Sequence, residues 1–264
     1  MGVRREHFVS GNWRIAWAAV ILGPASAFVL ACESASPEEV RQGCAAIVSG
    51  SPDGTHTNAV ALIDSQERLL CSGALIVGRG NRGVVLTAAH CLDDVIDTVT
   101  VGADFRSSDR RRFVAVKQVS HPGFRRETGE YDFGVVFLRG PMDESSDWLL
   151  TPEQDVLAMG TPIQFVGFGA DLTNAPNSIR NSWTGHISKL TETTFEYDQS
   201  GGGPCLGDSG GPGYARLADG KQVLAGVTSF GDPSCKEYGV SGRVSVAMPF
   251  IASLLASEGF ICWQ

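Results

Sequence analysis

The chain has 264 residues, of which 43% are apolar, 19% are charged and 32 are glycine, and its formal net charge is −8. That length can build one large all-β domain or two smaller ones, and the composition excludes a disordered chain or a coiled coil. The excess of acidic residues argues against non-specific nucleic-acid binding, so no nucleic-acid partner is predicted.

Residues 1–31 have the pattern of an export signal. Arg4, Arg5 and Arg14 precede an apolar run that extends from residue 15 to residue 31 and is interrupted by a Gly-Pro pair. A charged start followed by an apolar core is typical of a signal segment, and this run is too short and too interrupted for a good membrane span. An uncleaved membrane anchor is the alternative.

Cys32 follows this segment in a context that resembles a bacterial lipobox. Residues 29–32 read Val-Leu-Ala-Cys, although Leu30 departs from the small residue usual at its place. In a lipobox the cysteine is lipidated and becomes the first mature residue. We therefore predict an exported protein, either a cell-envelope lipoprotein held to the membrane only through a lipid on Cys32, or an extracellular protein.

The seven cysteines of an exported chain indicate an oxidising compartment. If Cys32 carries a lipid, six remain, which is enough for three bridges. None of these cysteines has the short spacing and the histidine neighbours of a zinc site, so neither a metal nor a cofactor is predicted. The six are Cys44, Cys71, Cys91, Cys205, Cys235 and Cys262.

The rest of the chain is predicted to be built from short strands. A polar stretch at 32–46 reads as a tether or propeptide, and from Ile47 onward short apolar runs recur between turn residues, which is typical of a sandwich or barrel. A polar linker is expected at 141–155, and a final helix is expected to begin at Pro249. The predicted strands are 59–63, 73–77, 83–87, 98–101, 113–119 and 133–138 before the linker, and 163–167, 184–187, 194–197, 223–228 and 239–244 after it.

One serine, Ser209, lies among glycines at 207–211. Glycines allow a tight turn and leave amide N–H groups uncovered, so such a turn can form an oxyanion hole beside a nucleophile. A plain Gly-rich surface loop is the alternative, and the three glycines at 201–203 would suit it as well.

His90 and Asp132 lie at the ends of apolar runs. Each alone is an ordinary polar residue at a strand end. A serine nucleophile, however, needs a base that takes its proton, and the base needs a carboxylate that fixes its tautomer. The chain supplies His90, Asp132 and Ser209 in that order.

These segments resemble the chymotrypsin-like, trypsin-family serine proteases. Residues 87–91 match the catalytic-histidine motif and 207–212 match the nucleophile motif, while Asp132 is followed by Phe133 and Gly134 in place of the usual Ile and Ala. The resemblance implies an all-β fold of two antiparallel six-stranded β-barrels with a short C-terminal helix. The protease domain would span 47–264, with barrel 1 at about 47–145 and barrel 2 at about 156–264, and with the active site between them.

The resemblance also implies roles for single residues. Ser209 would be the nucleophile, His90 the general base and acid, and Asp132 the group that orients His90. The N–H groups of Gly207 and Ser209 would form the oxyanion hole. The bridges implied are Cys71–Cys91 and Cys205–Cys235, which leaves Cys44 and Cys262 as a third pair.

The substrate pocket is predicted from the same resemblance. Gly203 falls where trypsins carry an acidic residue, and a pocket without that charge cannot pair a Lys or Arg side chain. Gly231 and Gly239 align with the pocket walls, so an apolar P1 residue, aromatic or large aliphatic, is expected. Ser229 and Phe230, followed by Gly231, resemble the segment that binds the substrate backbone as an added strand.

Activation of a zymogen is a further implication. A freed Ile47 ammonium would pair with Asp208 and order the oxyanion hole, although Asp208 capping a turn is the alternative. Because Ala46 precedes Ile47, the activating protease would have to cut after a small residue. Two other functions are weighed against an endopeptidase of proteins or peptides: a catalytically silent binding module, and an esterase, which the Gly-Asp-Ser-Gly-Gly sequence disfavours.

Overall fold

Residues 47–169 and 177–260, which the computed structural model describes, are mainly β-strands. The predicted signal at 1–31, the tether or propeptide at 32–46, Cys32, Cys44 and Cys262 lie outside these residues. No helix in the described ranges combines the length and the apolarity that crossing a bilayer requires. The strands are β1 (Ser51–Pro52), β2 (Ala59–Ile63), β3 (Leu69–Thr87), β4 (Thr98–Val101), β5 (Arg111–Ser120), β6 (Gly134–Asp143), β7 (Pro162–Gly167), β8 (Asn181–Leu190), β9 (Thr194–Asp198), β10 (Pro212–Arg216), β11 (Gln222–Gly231) and β12 (Tyr238–Arg243).

The first barrel is closed by antiparallel strands in the order β2-β3-β6-β5-β4. The long strand β3 doubles back on itself, since Gly73 lies against Val85 and Gly83 lies against the carbonyl of Val77. It therefore supplies two walls of the barrel, and both of the segments predicted at 73–77 and 83–87 lie within it.

The second barrel has the strand order β1-β8-β7-β10-β11-β12-β9, and pairing between β8 and β9 closes it. Strand β1 is an edge strand that pairs Ser51 with Ser182 and Pro52 with Asn181. The start of the domain therefore joins the second barrel, although it belongs to the range expected for the first. The predicted all-β fold of two antiparallel barrels is confirmed.

Apolar residues of the predicted strands form much of both cores. All five residues of β2 are buried, and the side chains of Leu75, Leu86 and Phe133 are wholly buried in the first core. The second core contains Ile47, Phe165, Ile187, Phe195 and Tyr197. Each fully buried side chain of this size contributes about 1.5–3 kcal/mol through removal of apolar surface from water.

Helix α1 (Val244–Ser257) begins five residues before the predicted start at Pro249. Its buried face contains Val244, Ala247, Ile251 and Leu255, which is the spacing of one helical stripe. Pro249 is exposed on the opposite side. The prediction of its position was wrong because an exposed proline in a helix loses one hydrogen bond without disturbing the packed face.

Candidate active site

His90 and Asp132 are brought together by two paired strands of the first barrel. His90 lies in a short 3-10 helix, Ala89–Asp93, directly after β3, and Asp132 lies two residues before β6. In the pairing of these strands Thr87 is opposite Gly134. The carboxylate of Asp132 accepts hydrogen bonds from the His90 ring Nδ1 at 2.7 Å and from the His90 main-chain N–H at 2.9 Å. Asp132 therefore fixes both the position of His90 and the orientation of its ring.

Asp132 is only 2% exposed, yet it is held in its charged form. Burial by itself raises the pKa of a carboxyl, but the hydrogen bonds from His90 and from the Ser229 hydroxyl lower the pKa of Asp132 below its ordinary value. His90, by contrast, is partly open to the cleft, with 27% of its side chain exposed.

Ser229 has a contact that its sequence did not reveal. Its hydroxyl donates to Oδ2 of Asp132 at 2.5 Å. Ser229 belongs to β11 of the second barrel, so the aspartate of one barrel is bound by a side chain of the other. Ser229 also lines the cavity beside Ser209, where the sequence placed it, and it therefore contacts both the acid and the pocket.

Ser209 lies in a turn that only glycines allow. Gly207 has a φ of +90° and Gly210 a φ of +77°, values that side chains rarely adopt. A Cβ on Gly210 would overlap Oγ1 of Thr87, so this glycine lets the turn pack directly against the end of β3. That end leads to His90, so the turn of Ser209 packs against the segment that carries the histidine.

Some main-chain N–H groups around Ser209 donate hydrogen bonds within the protein, and two others do not. Asp208 donates to Cys205 O at 3.0 Å, Gly210 to Thr228 O at 2.7 Å and Gly211 to Asp208 O at 2.9 Å. Within 47–169 and 177–260 no acceptor is bound by the N–H of Gly207 or of Ser209. These two are the donors that the sequence predicted for an oxyanion hole.

Ser72 is a second contact between the barrels that sequence reasoning missed. It is fully buried, its hydroxyl donates to Gly207 O at 3.0 Å and accepts from the N–H of Phe168 at 3.0 Å, and its own N–H donates to Ser209 O at 2.9 Å. Ser72 follows Cys71, and its place next to a cysteine of an implied bridge was the one available signal.

A cavity of about 230 Å³ adjoins Ser209. Of the predicted pocket residues, Ser229, Phe230 and Gly231 line it, but Gly203 and Gly239 do not. The side chain of Gln199 covers Gly203, where a Cβ would lie 2.6 Å from Gln199 Nε2. The remaining lining residues are Tyr197, Gln199, Pro204, Cys205, Leu206, Thr228, Asp232, Pro233 and Cys235.

Two disulfides hold the loops of the site. Cys71 is bonded to Cys91 and Cys205 to Cys235, as the family resemblance implied. The first ties β3 to the segment of His90, and the second ties the turn of Ser209 to the loop after β11. The sulfur atoms closest to His90 belong to a disulfide, so they have no thiolate to offer a metal.

Ile47 and Asp208, the two residues of the predicted activation switch, are both buried. The carboxylate of Asp208 accepts the N–H groups of Gly169 at 2.8 Å and Cys205 at 2.9 Å. Burial raises the pKa of Asp208 to about 7, although these two hydrogen bonds oppose the rise. Among the described residues no cationic side chain lies within ion-pair distance of Asp208.

Two antiparallel β-barrels, with a His–Asp pair in the first and a serine turn packed against the strand that leads to this histidine, are typical of the chymotrypsin-like class of serine proteases. The sequence profile of the trypsin family, described as "Trypsin", matches residues 47–251, and the chain belongs to this family. The chain is similar to "Serine proteinase stubble" of Drosophila melanogaster, with 30% identity over 214 residues that cover 69% of this chain and 26% of that protein. It is also similar to "Trypsin-like protease" of Streptomyces glaucescens, with 27% identity over 190 residues that cover 65% of this chain and 68% of that protein. The chain thus spans about a quarter of the fly protein's length.

Proposed function

We propose that this chain is a serine endopeptidase with Ser209 as nucleophile, His90 as general base and acid, and Asp132 as the orienting carboxylate. The observation that carries the proposal is the 2.7 Å hydrogen bond between His90 Nδ1 and buried Asp132. A carboxylate in that position holds the ring in the tautomer whose Nε2 is free to accept a proton. Membership in the trypsin family supports the same reading.

In the proposed reaction, Ser209 Oγ attacks the carbonyl carbon of the scissile peptide bond while His90 Nε2 takes the hydroxyl proton. The N–H groups of Gly207 and Ser209 stabilise the oxyanion, each by about 10²–10³ in rate. His90 then gives the proton to the leaving amine, which leaves an acyl group on Ser209. Water then attacks the acyl carbon while His90 takes one of its protons. The bond between that carbon and Ser209 Oγ breaks, Oγ takes the proton back from His90, and the carboxylic acid product is released.

The substrates we propose are proteins or peptides with an uncharged P1 side chain. The sequence predicted an apolar P1 residue because Gly203 supplies no carboxylate. Asp232 does line the cavity, but its carboxylate is bound by the N–H groups of Ser234, Glu237 and Tyr238. A carboxylate that already accepts these hydrogen bonds has few acceptor positions left for the N–H groups of a buried cation. Phe230, which is 45% exposed next to the cavity, offers an apolar face to the substrate.

We also propose that the chain is made as a zymogen. Ile47 and Asp208 are both buried, Val48 next to Ile47 is hydrogen-bonded to Gly203, and Asp208 lacks a positive partner in the described part of the chain. An ammonium group freed at Ile47 would supply that charge. Ala46 precedes the bond to be cut, so the activating protease would be one that cuts after small residues.

Export with a lipid on Cys32 is proposed on sequence grounds, and the two disulfides support an oxidising compartment. If Cys44 is bonded to Cys262, cleavage before Ile47 would leave the domain attached to Cys32. A non-reducing gel of the cleaved protein tests this, since release of the propeptide would contradict it. Labelling with radioactive palmitate, with Cys32→Ser as control, tests the lipid.

The central experiment uses chain cleaved before Ile47 at a specific protease site inserted between Ala46 and Ile47, which keeps Cys44 in place. We expect a fluorophosphonate probe to label it, and a P1-diverse peptide library to be cleaved, with both signals absent in Ser209→Ala. Labelling without peptide cleavage would favour an esterase. Absence of both signals from a folded, cleaved chain would contradict the proposal and favour a silent binding module.

A further inference from the structure

Gln199 is a buried amide side chain in the wall of the cavity that adjoins Ser209. It is 2% exposed, and it lines this cavity together with Ser209 and Gly231. Its main chain is held on both sides, since its N–H donates to Glu237 O at 3.1 Å and its carbonyl accepts from Gly202 at 3.0 Å. Gln199 is therefore a fixed part of the pocket.

The orientation of the Gln199 amide follows from one hydrogen bond. Its Nε2 donates to the carbonyl of Pro204 at 2.6 Å. A carbonyl only accepts, so the nitrogen and not the oxygen must face Pro204. The oxygen Oε1 consequently points the other way, and it would lie 3.3 Å from a Cβ on Gly231, the residue that forms the pocket wall.

No donor in residues 47–169 and 177–260 is hydrogen-bonded to this oxygen. It is also not among the wholly buried side-chain atoms of these residues that lack a hydrogen bond, so part of its surface is accessible. It therefore stays open to the cavity. An acceptor that is buried, fixed and unsatisfied favours a ligand that brings a donor, because leaving it unpaired when the pocket fills costs about 1–3 kcal/mol.

The charges around the cavity decide which donor is favoured. Gly203 contributes no carboxylate, and the carboxylate of Asp232 is already bound by main-chain N–H groups. A Lys or Arg side chain would find no carboxylate oxygen with an open acceptor position for its N–H groups, which disfavours it. A neutral donor remains, and the primary carboxamide of glutamine has an apolar stem for the walls and an N–H group at its tip.

We infer that Gln199 is a specificity-determining residue whose Oε1 accepts a hydrogen bond from a P1 side chain carrying a neutral donor, with glutamine as the preferred P1 residue. The inference rests on the proposed endopeptidase function. It also assigns Gly203 a different purpose from the one its sequence predicted: the missing side chain at Gly203 makes room for the Gln199 amide.

The test uses the cleaved, active protein and two peptides that differ only at P1, glutamine or methionine. These residues have similar length, but methionine lacks the donor. We expect the wild-type protein to have a kcat/KM about tenfold higher for glutamine, the effect of one hydrogen bond. In Gln199→Met the preference is expected to disappear or reverse. An equal or lower kcat/KM for the glutamine peptide in the wild-type protein would overturn the inference, whether or not the variant folds.

A fluorophosphonate with a small alkyl group and no P1 side chain separates the two proposals. Labelling of the wild-type protein without a glutamine preference would contradict only the role of Gln199. Absence of labelling would contradict the endopeptidase function itself. Ser188→Ala, an exposed substitution on β8, serves as the matched control and is expected to keep the wild-type ratio of the two peptides.

Discussion

Val48 and Gly203 exchange two main-chain hydrogen bonds, from Val48 N–H to Gly203 O at 3.0 Å and from Gly203 N–H to Val48 O at 2.9 Å. Val48 follows the first residue of the proposed active form, and Gly203 lies next to Pro204 of the cavity wall. Main-chain hydrogen bonds therefore join the segment at the proposed cleavage site directly to the pocket. A change in the segment that begins at Ile47 is expected to alter the pocket.

Gly202→Ala should disturb this junction. Gly202 has a φ of +124°, and a Cβ on it would overlap the carbonyl of Val48. We expect a loss of about 1–3 kcal/mol in the free energy of unfolding, from backbone strain and the displaced segment. The kcat/KM should fall as well. Gly201→Ala is the matched control, since no atom lies within 4 Å of its Cβ position; an equal effect of the two substitutions in urea unfolding would refute the account.

Asp208 should make the uncut chain less stable as the pH rises. Its pKa is about 7 in the folded chain, above its ordinary value of 3.8, so folding favours the protonated form. The stability is fully present below pH 4 and is lost as the pH rises from about 4 to 7. Each unit of pKa shift corresponds to about 1.4 kcal/mol, so the loss should amount to a few kcal/mol.

Urea unfolding between pH 4 and pH 8 measures this effect. Ser209→Ala should be the background, to prevent self-cleavage, and Asp208→Asn in that background should lose much of the decline. Cleavage before Ile47 should reverse the sign of the contribution that Asp208 makes to the pH dependence of stability, because the new ammonium group favours the charged form of Asp208. Identical pH profiles for the Asp and Asn proteins would refute the assignment.

Ser72→Ala should weaken both stability and catalysis. The substitution removes the acceptor of the buried Phe168 N–H and frees the carbonyl of Gly207. An unsatisfied buried N–H costs about 1–3 kcal/mol, which thermal unfolding would detect. Because Gly207 also supplies a proposed oxyanion donor, kcat should fall more than KM rises. A variant with reduced stability but unchanged kcat would show that Ser72 has no part in ordering the turn.

Ser229→Ala should reduce activity through Asp132. A hydrogen bond to a charged group contributes about 1.5–3 kcal/mol, so kcat/KM should fall roughly tenfold or more. Without this donor the pKa of Asp132 should rise, and NMR titration of the carboxyl would measure it. Ser188→Ala, an exposed substitution on β8, should leave both quantities unchanged. An unchanged Asp132 pKa in Ser229→Ala would contradict the role.

The motifs around His90 and Ser209 could be recognised because each is a contiguous run of residues. The contacts that join the barrels could not: Ser72 and Ser229 are single serines whose partners lie 135 and 97 residues away in the chain. The strands were predicted from alternating apolar residues, but β10 was missed. It follows directly from the nucleophile turn, and its sequence Pro-Gly-Tyr-Ala-Arg has no alternating pattern. The pocket was the hardest part, because Gln199, which lines the cavity and covers Gly203, lies outside every motif.

Gly203→Asp should not create a trypsin-like pocket. The φ of Gly203 is +143°, and a Cβ there would lie 2.6 Å from Gln199 Nε2. This nitrogen donates a hydrogen bond to the carbonyl of Pro204. The new side chain would displace the Gln199 amide and strain the backbone, at a cost of about 1–3 kcal/mol. We expect lower thermal stability and no gain in cleavage after arginine. Gly203→Ala should be destabilised to a similar extent, since the strain comes from the Cβ and not from the carboxylate. A Gly203→Asp protein that unfolds at the wild-type temperature and cleaves after arginine would show that Gly203, and not Gln199, determines the P1 specificity of the pocket.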